Sequence, residues 1–309
     1  MSKQKKVVFI VGPTASGKTG LGIAVAKEFG GEVISADSMQ IYKGIHIASA
    51  APDEDEMQGV AHHMLEFLEL DSAFSVADYV KQARMLIDEI YSRGRLPIVV
   101  GGTGLYISAL LDNTRFAEEK TDLSLRKSLE EEFDRVGAEE MLQRLAEFDP
   151  ESAKRLHPSD KRRIIRCFEV YKTTGKTKTQ LNELSHSEKN DFESLVIGIT
   201  FKDRQKLYDR IDARVDIMIE SGLLKEAKQT FKNADNKGAF QAIGHKELYP
   251  FFRQECSLEE AVEHLKRQTR RYAKRQLTWF RKDHRINWIY ADECENVVKA
   301  AKDLVKRFL

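Results

Sequence analysis

Cysteine, long apolar runs and acids at the ends of apolar strands are scarce in this sequence, and each shortage removes a class of function. Three cysteines, Cys167, Cys256 and Cys294, lie scattered through a chain of 309 residues. Without paired spacing they support neither a disulfide framework nor a cysteine-based zinc site, and they fit a reducing cytosol. No apolar stretch approaches bilayer-spanning length, and Met1-Ser2-Lys3-Gln4-Lys5-Lys6 leads straight into an apolar strand with no signal-peptide core. A cytoplasmic protein with no membrane partner is therefore expected. The net charge of +1 excludes little, because 32% charged residues leave ample room for a local basic face. No internal repeat or low-complexity tract is evident.

What the chain does have is Gly12-Pro13-Thr14-Ala15-Ser16-Gly17-Lys18-Thr19, placed between the apolar run Val7 to Val11 and the apolar helix-former run from Leu21 to Ala26. This is the P-loop pattern in its strand-turn-helix setting. Backbone N–H groups of the turn converge on phosphate oxygens, and the helix that follows adds the positive end of its dipole. Lys18 reaches terminal phosphates and Thr19 can ligate magnesium. Such loops usually bind a nucleotide such as ATP, but the loop alone does not name the reaction.

Most P-loop ATPases and GTPases carry an Asp at the end of a second apolar strand to hold the magnesium water shell. Here the strand Leu96 to Val100 ends in Gly101-Gly102-Thr103-Gly104, and the strand Leu195 to Phe201 reaches Asp203 only after a lysine. The missing acid counts against a motor or a switch. After Glu32-Val33-Ile34 comes the polar loop Ser35-Ala36-Asp37-Ser38-Met39-Gln40-Ile41-Tyr42. In a doubly wound sheet this loop lies near the first, so Asp37 could act as a general base. The alternative is a helix N-cap, a position that Asp and Ser favour.

Length suggests one core plus a second lobe. Residues 1–114 alternate strands with helices, including a helix over 74–93, which predicts a parallel sheet. From 115 to 194 the sequence is charged and helical, as in 125–136 and 138–148, between Asn113-Thr114 and the polar stretch 184–191. The core resumes at 195, with helices at 204–233 and 258–283, a strand at 286–290 and a terminal helix. The expected fold is α/β, a P-loop NTPase-like parallel sheet core flanked by helices (1–114 and 195–309), with an inserted all-helical lobe (115–194).

Two basic stretches bear on partners. His157 to Arg166 places Lys161, Arg162, Arg163 and Arg166 at the start of a helix, where the dipole favours anions, so an external phosphate partner is implied. In Lys266 to Lys282, Arg267, Arg270, Arg271, Lys274 and Arg281 fall along one helical face with Tyr272, Trp279 and Phe280 interleaved. Either stretch alone could be a solvated helix; together they favour nucleic acid.

The P-loop, the loop Ile34 to Gly44, the turn Gly101-Gly102-Thr103-Gly104-Leu105-Tyr106 and the late Lys274-Arg275-Gln276-Leu277-Thr278-Trp279-Phe280 together resemble the tRNA dimethylallyltransferases, also called tRNA isopentenyltransferases. The resemblance spans nearly the whole chain. It implies transfer of a dimethylallyl group from dimethylallyl diphosphate to the exocyclic N6 amine of the adenosine 3′ of the anticodon, in tRNAs that read codons beginning with U. Diphosphate leaves intact, so no γ-phosphate need be hydrolysed and the missing acid is accounted for.

On this resemblance Gly12 to Thr19 hold the diphosphate with magnesium at Thr19, Lys18 stabilises the leaving group, Asp37 is the base and Thr103 positions the reacting groups. An arginine after the later strand contacts the diphosphate, with Arg210 and Arg214 as candidates and Arg214 slightly favoured. For both, pairing with Asp209, Asp212 or Asp216 on an exposed helix is the plain alternative. An adenine stacked in an anticodon loop must be flipped out to react. The residues expected to face tRNA are Asp37, Ser38, Met39, Gln40, Thr103, Arg126, Arg162, Arg163, Ile164, Ile165, Arg166, Gln241, Ala242, Ile243, Gly244, His245 and Lys246. At Gly244 the choice is between close backbone approach to a ligand and a simple turn.

Eukaryotic members of that family carry a C-terminal zinc finger. This sequence has no Cys-x2-Cys or His-x-His pair for one and resembles the shorter bacterial form, for which a monomer is expected. His62 and His63 are adjacent and so diverge, which makes joint metal ligation a poor expectation. Two rivals share parts of the pattern. A small-molecule or nucleotide kinase with 115–194 as its lid would turn over ATP, and a non-catalytic tRNA-binding P-loop protein would be indifferent to Asp37→Ala.

Overall fold

Val7, Val8, Phe9, Ile10 and Val11 are all fully buried, a continuous run that suits a strand covered on both faces. In the computed structural model, which describes residues 4–114, 122–185, 190–233 and 238–309, they form β1 (Lys5–Val11). With β2 (Gly31–Ser35), β3 (His62–His63), β4 (Leu96–Gly101), β5 (Phe192–Thr200) and β6 (Ile286–Tyr290) it makes a six-stranded sheet in the order β3-β2-β4-β1-β5-β6. Every neighbouring pair is parallel, the expected α/β architecture.

Parallel strands require crossovers, and helices supply them. In chain order these are α1 (Lys18–Phe29), α2 (His46–Ser49), α3 (Glu54–Met57), α4 (Val76–Ser92), α5 (Gly104–Leu111), α6 (Leu123–Val136), α7 (Ala138–Phe148) and α8 (Pro150–Arg155). There follow α9 (Lys161–Thr174), α10 (Lys178–Ser185), α11 (Arg204–Glu220), α12 (Leu223–Phe231), α13 (Tyr249–Phe252), α14 (Leu258–Phe280) and α15 (Val297–Phe308). The helix expected over 74–93 starts at Val76 because Ser75 and Asp78 form a capping box, and α14 starts from a second box at Ser257 and Glu260. The single helix expected over 204–233 is two: α11 ends at Glu220 and α12 begins after Ser221-Gly222, a pair of weak helix formers. The strand expected from 195 begins earlier, at Phe192.

The backbone divides into two compact units, Met1–Leu111 with Asp191–Leu309, and Asp112–Asn190. In the first, Leu21, Val25 and Ala26 of α1 and Ala301 and Val305 of α15 pack with Ile10, Ile98 and Ile197 of the sheet. Each buried Ile, Leu or Val there stabilises the fold by roughly 1.5–3 kcal/mol relative to exposure. The second unit is helical throughout its described elements. Leu129, Phe133, Met141, Leu145, Ile164, Ile165, Cys167 and Phe168 form its core, and the buried Asp149 carboxylate ties α8 to α10 by accepting from Ser152 and Thr179. Of the stretch 184–191 read as a boundary, residues 186–189 lie outside the described residues, as do residues 1–3 of the N-terminal run.

The sheet order sets the site. β2, β4 and β1 are neighbours, so the loops leaving their carboxyl ends, where ligands lie in such sheets, are neighbours too.

Candidate active site

The first of these loops joins β1 to α1, the setting the P-loop pattern requires. Lys18 Nζ donates to the Pro13 carbonyl at 2.7 Å. Desolvation lowers its pKa to about 8; Asp37 pulls the other way and Arg214 adds to the depression. Ala15 sits in a left-handed conformation (φ 62°), and its carbonyl accepts from Arg210 Nε at 3.0 Å. Ser16 Oγ is buried without a hydrogen-bond partner among the described residues.

The second loop carries Asp37. It caps no helix, since α2 starts only at His46; instead Asp37 Oδ1 accepts the Met39 N–H at 2.9 Å and closes a turn. The third loop, after β4, braces it. Thr103 Oγ1 accepts the Ser38 N–H at 3.0 Å, and the Thr103 N–H donates to the Ala36 carbonyl at 3.1 Å. Gly104 in this turn lies under Trp279, whose Cδ1 would stand 2.5 Å from any Cβ placed there. The Trp279 indole N–H donates to Ser108 Oγ at 2.9 Å and holds the ring over that glycine.

The first two loops open on one cavity of about 300 Å³, the size range of small-ligand sites, which Val100 and Gly101 at the end of β4 also line while Thr103 braces it from behind. Thr14, Lys18 and Thr19 line it from the P-loop, Asp37, Ser38, Met39 and Gln40 from the second loop, and Arg214 from α11. Val33, Val100, Ile211, Val215, Met218 and Leu265 supply an apolar wall, and Ala48, Ser49 and Ala50 another. The α2 backbone is clamped from far along the chain: Glu226 accepts the Ile47 and Ala48 N–H groups at 2.8 and 2.9 Å and His245 Nε2 at 2.9 Å. Burial alone would push the Glu226 carboxyl up, but these donors hold it below its ordinary value.

The two candidate arginines have separate places. Arg214 lines the cavity with Lys18 and Asp37, whereas Arg210 grips the outside of the P-loop at Ala15. Neither depends on the acids of its own helix, because Asp209 accepts from Gln205, Asp212 from Arg270 and Asp216 from Lys266.

Several residues expected to face tRNA are buried or already paired within the chain. Ile164 and Ile165 are 0% and 3% exposed, in the core of the second unit, because α9 turns its apolar face inward and leaves Arg162 and Arg163 exposed. Arg126 is held in a two-pronged ion pair with the buried Glu169, which Arg166 also approaches at 3.4 Å. His245 is fully buried between Glu226 and Thr230. Of its neighbours, Gln241, Ala242 and Ile243 line the cavity, Lys246 is exposed, and Gly244 (φ 109°) makes a turn that packs on Ala48. On α14, Arg267, Arg271, Lys274 and Arg275 are exposed, as are Arg281 and Lys282 just beyond its end, while Arg270 leaves that stripe to bind Asp212.

His62 and His63 diverge as expected: His63 bonds Glu32 at 2.7 Å and His62 lines the cavity. Among the described residues no group of three or more His, Cys, Asp or Glu is gathered as a metal cage, and no helix is long and apolar enough to cross a membrane. Tyr272 and Gln276 of α14, named above only as members of longer stretches, both line the cavity. Burial pushes the Tyr272 phenol up, with Asp37 adding to it.

The model of the IPP transferase family matches residues 40–283. The tRNA dimethylallyltransferase of Thermoanaerobacter sp. (strain X514) is 45% identical over 304 residues, 97% of this chain and 96% of that protein. The tRNA dimethylallyltransferase of Bacillus subtilis (strain 168) is 47% identical over 286 residues, 92% and 90% of the two chains. Among solved structures, the full-length tRNA isopentenylpyrophosphate transferase of Bacillus halodurans matches at a TM-score of 0.71 and 39% identity, over 99% of this chain and 96% of that one. A eukaryotic dimethylallyltransferase acting on tRNA matches at a TM-score of 0.84 and 31% identity, over 98% and 79%. The matched regions of these relatives reach across nearly the whole sequence, and the chain belongs to the IPP transferase family, that of the tRNA dimethylallyltransferases.

Proposed function

We infer that the cavity binds dimethylallyl diphosphate and one flipped adenosine of a tRNA anticodon loop, and that the chain transfers the dimethylallyl group to the adenosine N6 amine, with Asp37 as the base. The observation that carries this reading is the meeting in one cavity of Lys18 and Arg214 with Asp37, cations for a leaving group beside a carboxylate for a proton. The carbon–oxygen bond of the prenyl diphosphate breaks and its electron pair leaves with the diphosphate. The N6 lone pair forms the new carbon–nitrogen bond, and the N6 proton passes to Asp37. Lys18, Arg214 and the loop amides stabilise the charge that grows on the diphosphate. The buried Ser16 hydroxyl, lacking an acceptor, is the kind of donor a bound anion satisfies.

The donor set suits magnesium. Thr19 offers a hard hydroxyl oxygen to the cavity, and magnesium keeps few protein ligands and completes its shell with phosphate oxygens and water. When bound, it would neutralise charge on the diphosphate. Thr103 positions Ser38 and Ala36, and with them Asp37. Phosphates of the tRNA would lie on the exposed Arg162 and Arg163 of the helical unit and on the α14 stripe. Because the cavity is lined by one unit of one chain, a monomer suffices, working where its tRNA substrate is, in the cytoplasm.

The test is incubation with radiolabelled dimethylallyl diphosphate, magnesium and an anticodon stem-loop bearing adenosine 3′ of the anticodon. Label enters RNA with the wild type and nearly vanishes with Asp37→Ala while stem-loop binding persists. Phosphate transfer from ATP with no label in RNA would overturn the reading.

A further inference from the structure

Gln276 has no part in the roles above, yet its carboxamide spans two of the loops that build the site. It is 5% exposed. Its Oε1 accepts the Thr14 N–H of the P-loop at 2.9 Å, and its Nε2 donates to the Gly102 carbonyl at 2.9 Å. Thr14 and Gly102 leave neighbouring strands, β1 and β4. From Gly102 the connection runs on through Thr103, whose hydroxyl accepts from Ser38 and whose N–H donates to Ala36, the two residues that flank Asp37. A Cβ on Gly102 would run into Gln276 Nε2, so the turn is shaped for this side chain to approach.

We propose that Gln276 is a positioning residue that sets the spacing between the leaving-group loop and the base, acting through Thr14 and Gly102. A carboxamide offers one acceptor and one donor on a single planar group, which a carboxylate or an alkyl chain of the same length does not. The Thr14 N–H is engaged by Gln276, so the loop is fixed before any substrate enters, and catalytic dipoles fixed in advance cost no reorganisation during reaction. Each substrate alone meets only one side of this brace. The reaction needs both sides in register, and a misplacement of about 1 Å can cost about 100-fold in rate. The inference rests on the reading of the site given above, in which the P-loop holds the diphosphate and Asp37 takes the proton.

The experiment uses the full chain with Gln276→Glu and Gln276→Met, measuring kcat, KM for dimethylallyl diphosphate and KM for the stem-loop. Both variants should lose about 10- to 100-fold in kcat near neutral pH with little change in either KM. The carboxyl introduced by Gln276→Glu keeps an acceptor for Thr14 and gains a donor for Gly102 only when protonated. Burial at this position, in a cavity that Asp37 also lines, raises its pKa. Its rate relative to wild type should therefore climb as the pH falls from about 8 to about 6, while the ratio for Gln276→Met stays flat. Lys18, Asp37, His62, Arg214, Tyr272 and Arg275 also line this cavity, and the comparison with Gln276→Met removes their common titration. A flat ratio for Gln276→Glu, or wild-type kcat in both variants, overturns the proposal. Should Gln276→Glu prove unfolded by circular dichroism, the split between kcat and KM in Gln276→Met decides alone. A wild type that transfers no label overturns the functional reading and the brace together, whereas an active wild type beside unaffected variants overturns only the brace.

Discussion

Arg210 donates from Nε to the Ala15 carbonyl at 3.0 Å, whereas Arg214, one turn further along α11, lines the cavity beside Lys18 and Asp37. The first shapes the phosphate loop and the second faces its contents. Arg214→Gln should cut kcat/KM for dimethylallyl diphosphate by about 100-fold, the scale of a lost charge-assisted contact to an anion. Arg210→Gln should cost less activity and about 1 kcal/mol of stability, the net worth of a single hydrogen bond. Steady-state kinetics and denaturant melts of the two variants check the division, and equal kinetic losses would refute it.

Replacing Asp37 by the isosteric Asn keeps an acceptor for the Met39 N–H but removes the base. The expected fall in kcat is about 10²- to 10⁴-fold, the usual contribution of general base catalysis. Stem-loop binding followed by fluorescence anisotropy should not change.

Burial depresses Lys18 to about 8 from an ordinary 10.5, so the ammonium is lost as the pH rises through about 8. Affinity for inorganic pyrophosphate, measured by calorimetry, should weaken on that limb, and more steeply than in Lys18→Met. The sign for folding is opposite. Between about 8 and 10.5 the unfolded chain binds the extra proton, so this group makes the unliganded protein more stable with rising pH in that window.

Gly104→Ala would drive a methyl into Trp279, part of whose grip is the indole bond to Ser108. Overpacking of this kind costs about 1–3 kcal/mol. Thermal melts should show the loss, and Gly104→Ala combined with Trp279→Ala should recover part of it; additive losses would mean that the ring is not the obstacle.

The Glu226 carboxylate satisfies two α2 amides and the fully buried His245. Removing it in Glu226→Ala leaves three donors unpaired, a penalty of about 1–3 kcal/mol for each that water cannot reach. Because its pKa is held below the ordinary value, its contribution is present above the unfolded carboxyl pKa and fades as the pH falls through the folded one. Acid melts of wild type and Glu226→Gln should therefore converge at low pH and diverge toward neutrality.

The parallel core of the sheet, the P-loop and the place of Asp37 in the loop after β2 were readable in the sequence because each is a local pattern: a buried run, a spaced glycine turn, an acid after a strand. What escaped was set by distance or by helical phase. Gln276 bonds Thr14 and Glu226 bonds Ile47 across long stretches of chain, and nothing near either residue signals its partner. Ile164 and Ile165 stand within a run of arginines, and only the phase of α9 separates the apolar side from the charged one. The break at Ser221-Gly222 was missed because polar residues continue at helical spacing on both sides of it.

The placement of β1 beside β5 has a consequence for biosynthesis. Once made, β1 must wait for this partner until every residue up to Phe192, the segment Asp112–Asn190 among them, has followed it. Between Val11 and Phe192 lie 180 residues, so at about 5–20 residues per second the delay is roughly 10 to 40 seconds. The helical unit, contiguous in sequence and with its own apolar cluster, can complete its packing meanwhile, whereas the apolar edge of β1 toward β5 stays open. Chaperone dependence during synthesis should thus track the length of the intervening segment, and shortening it should hasten closure of the catalytic sheet.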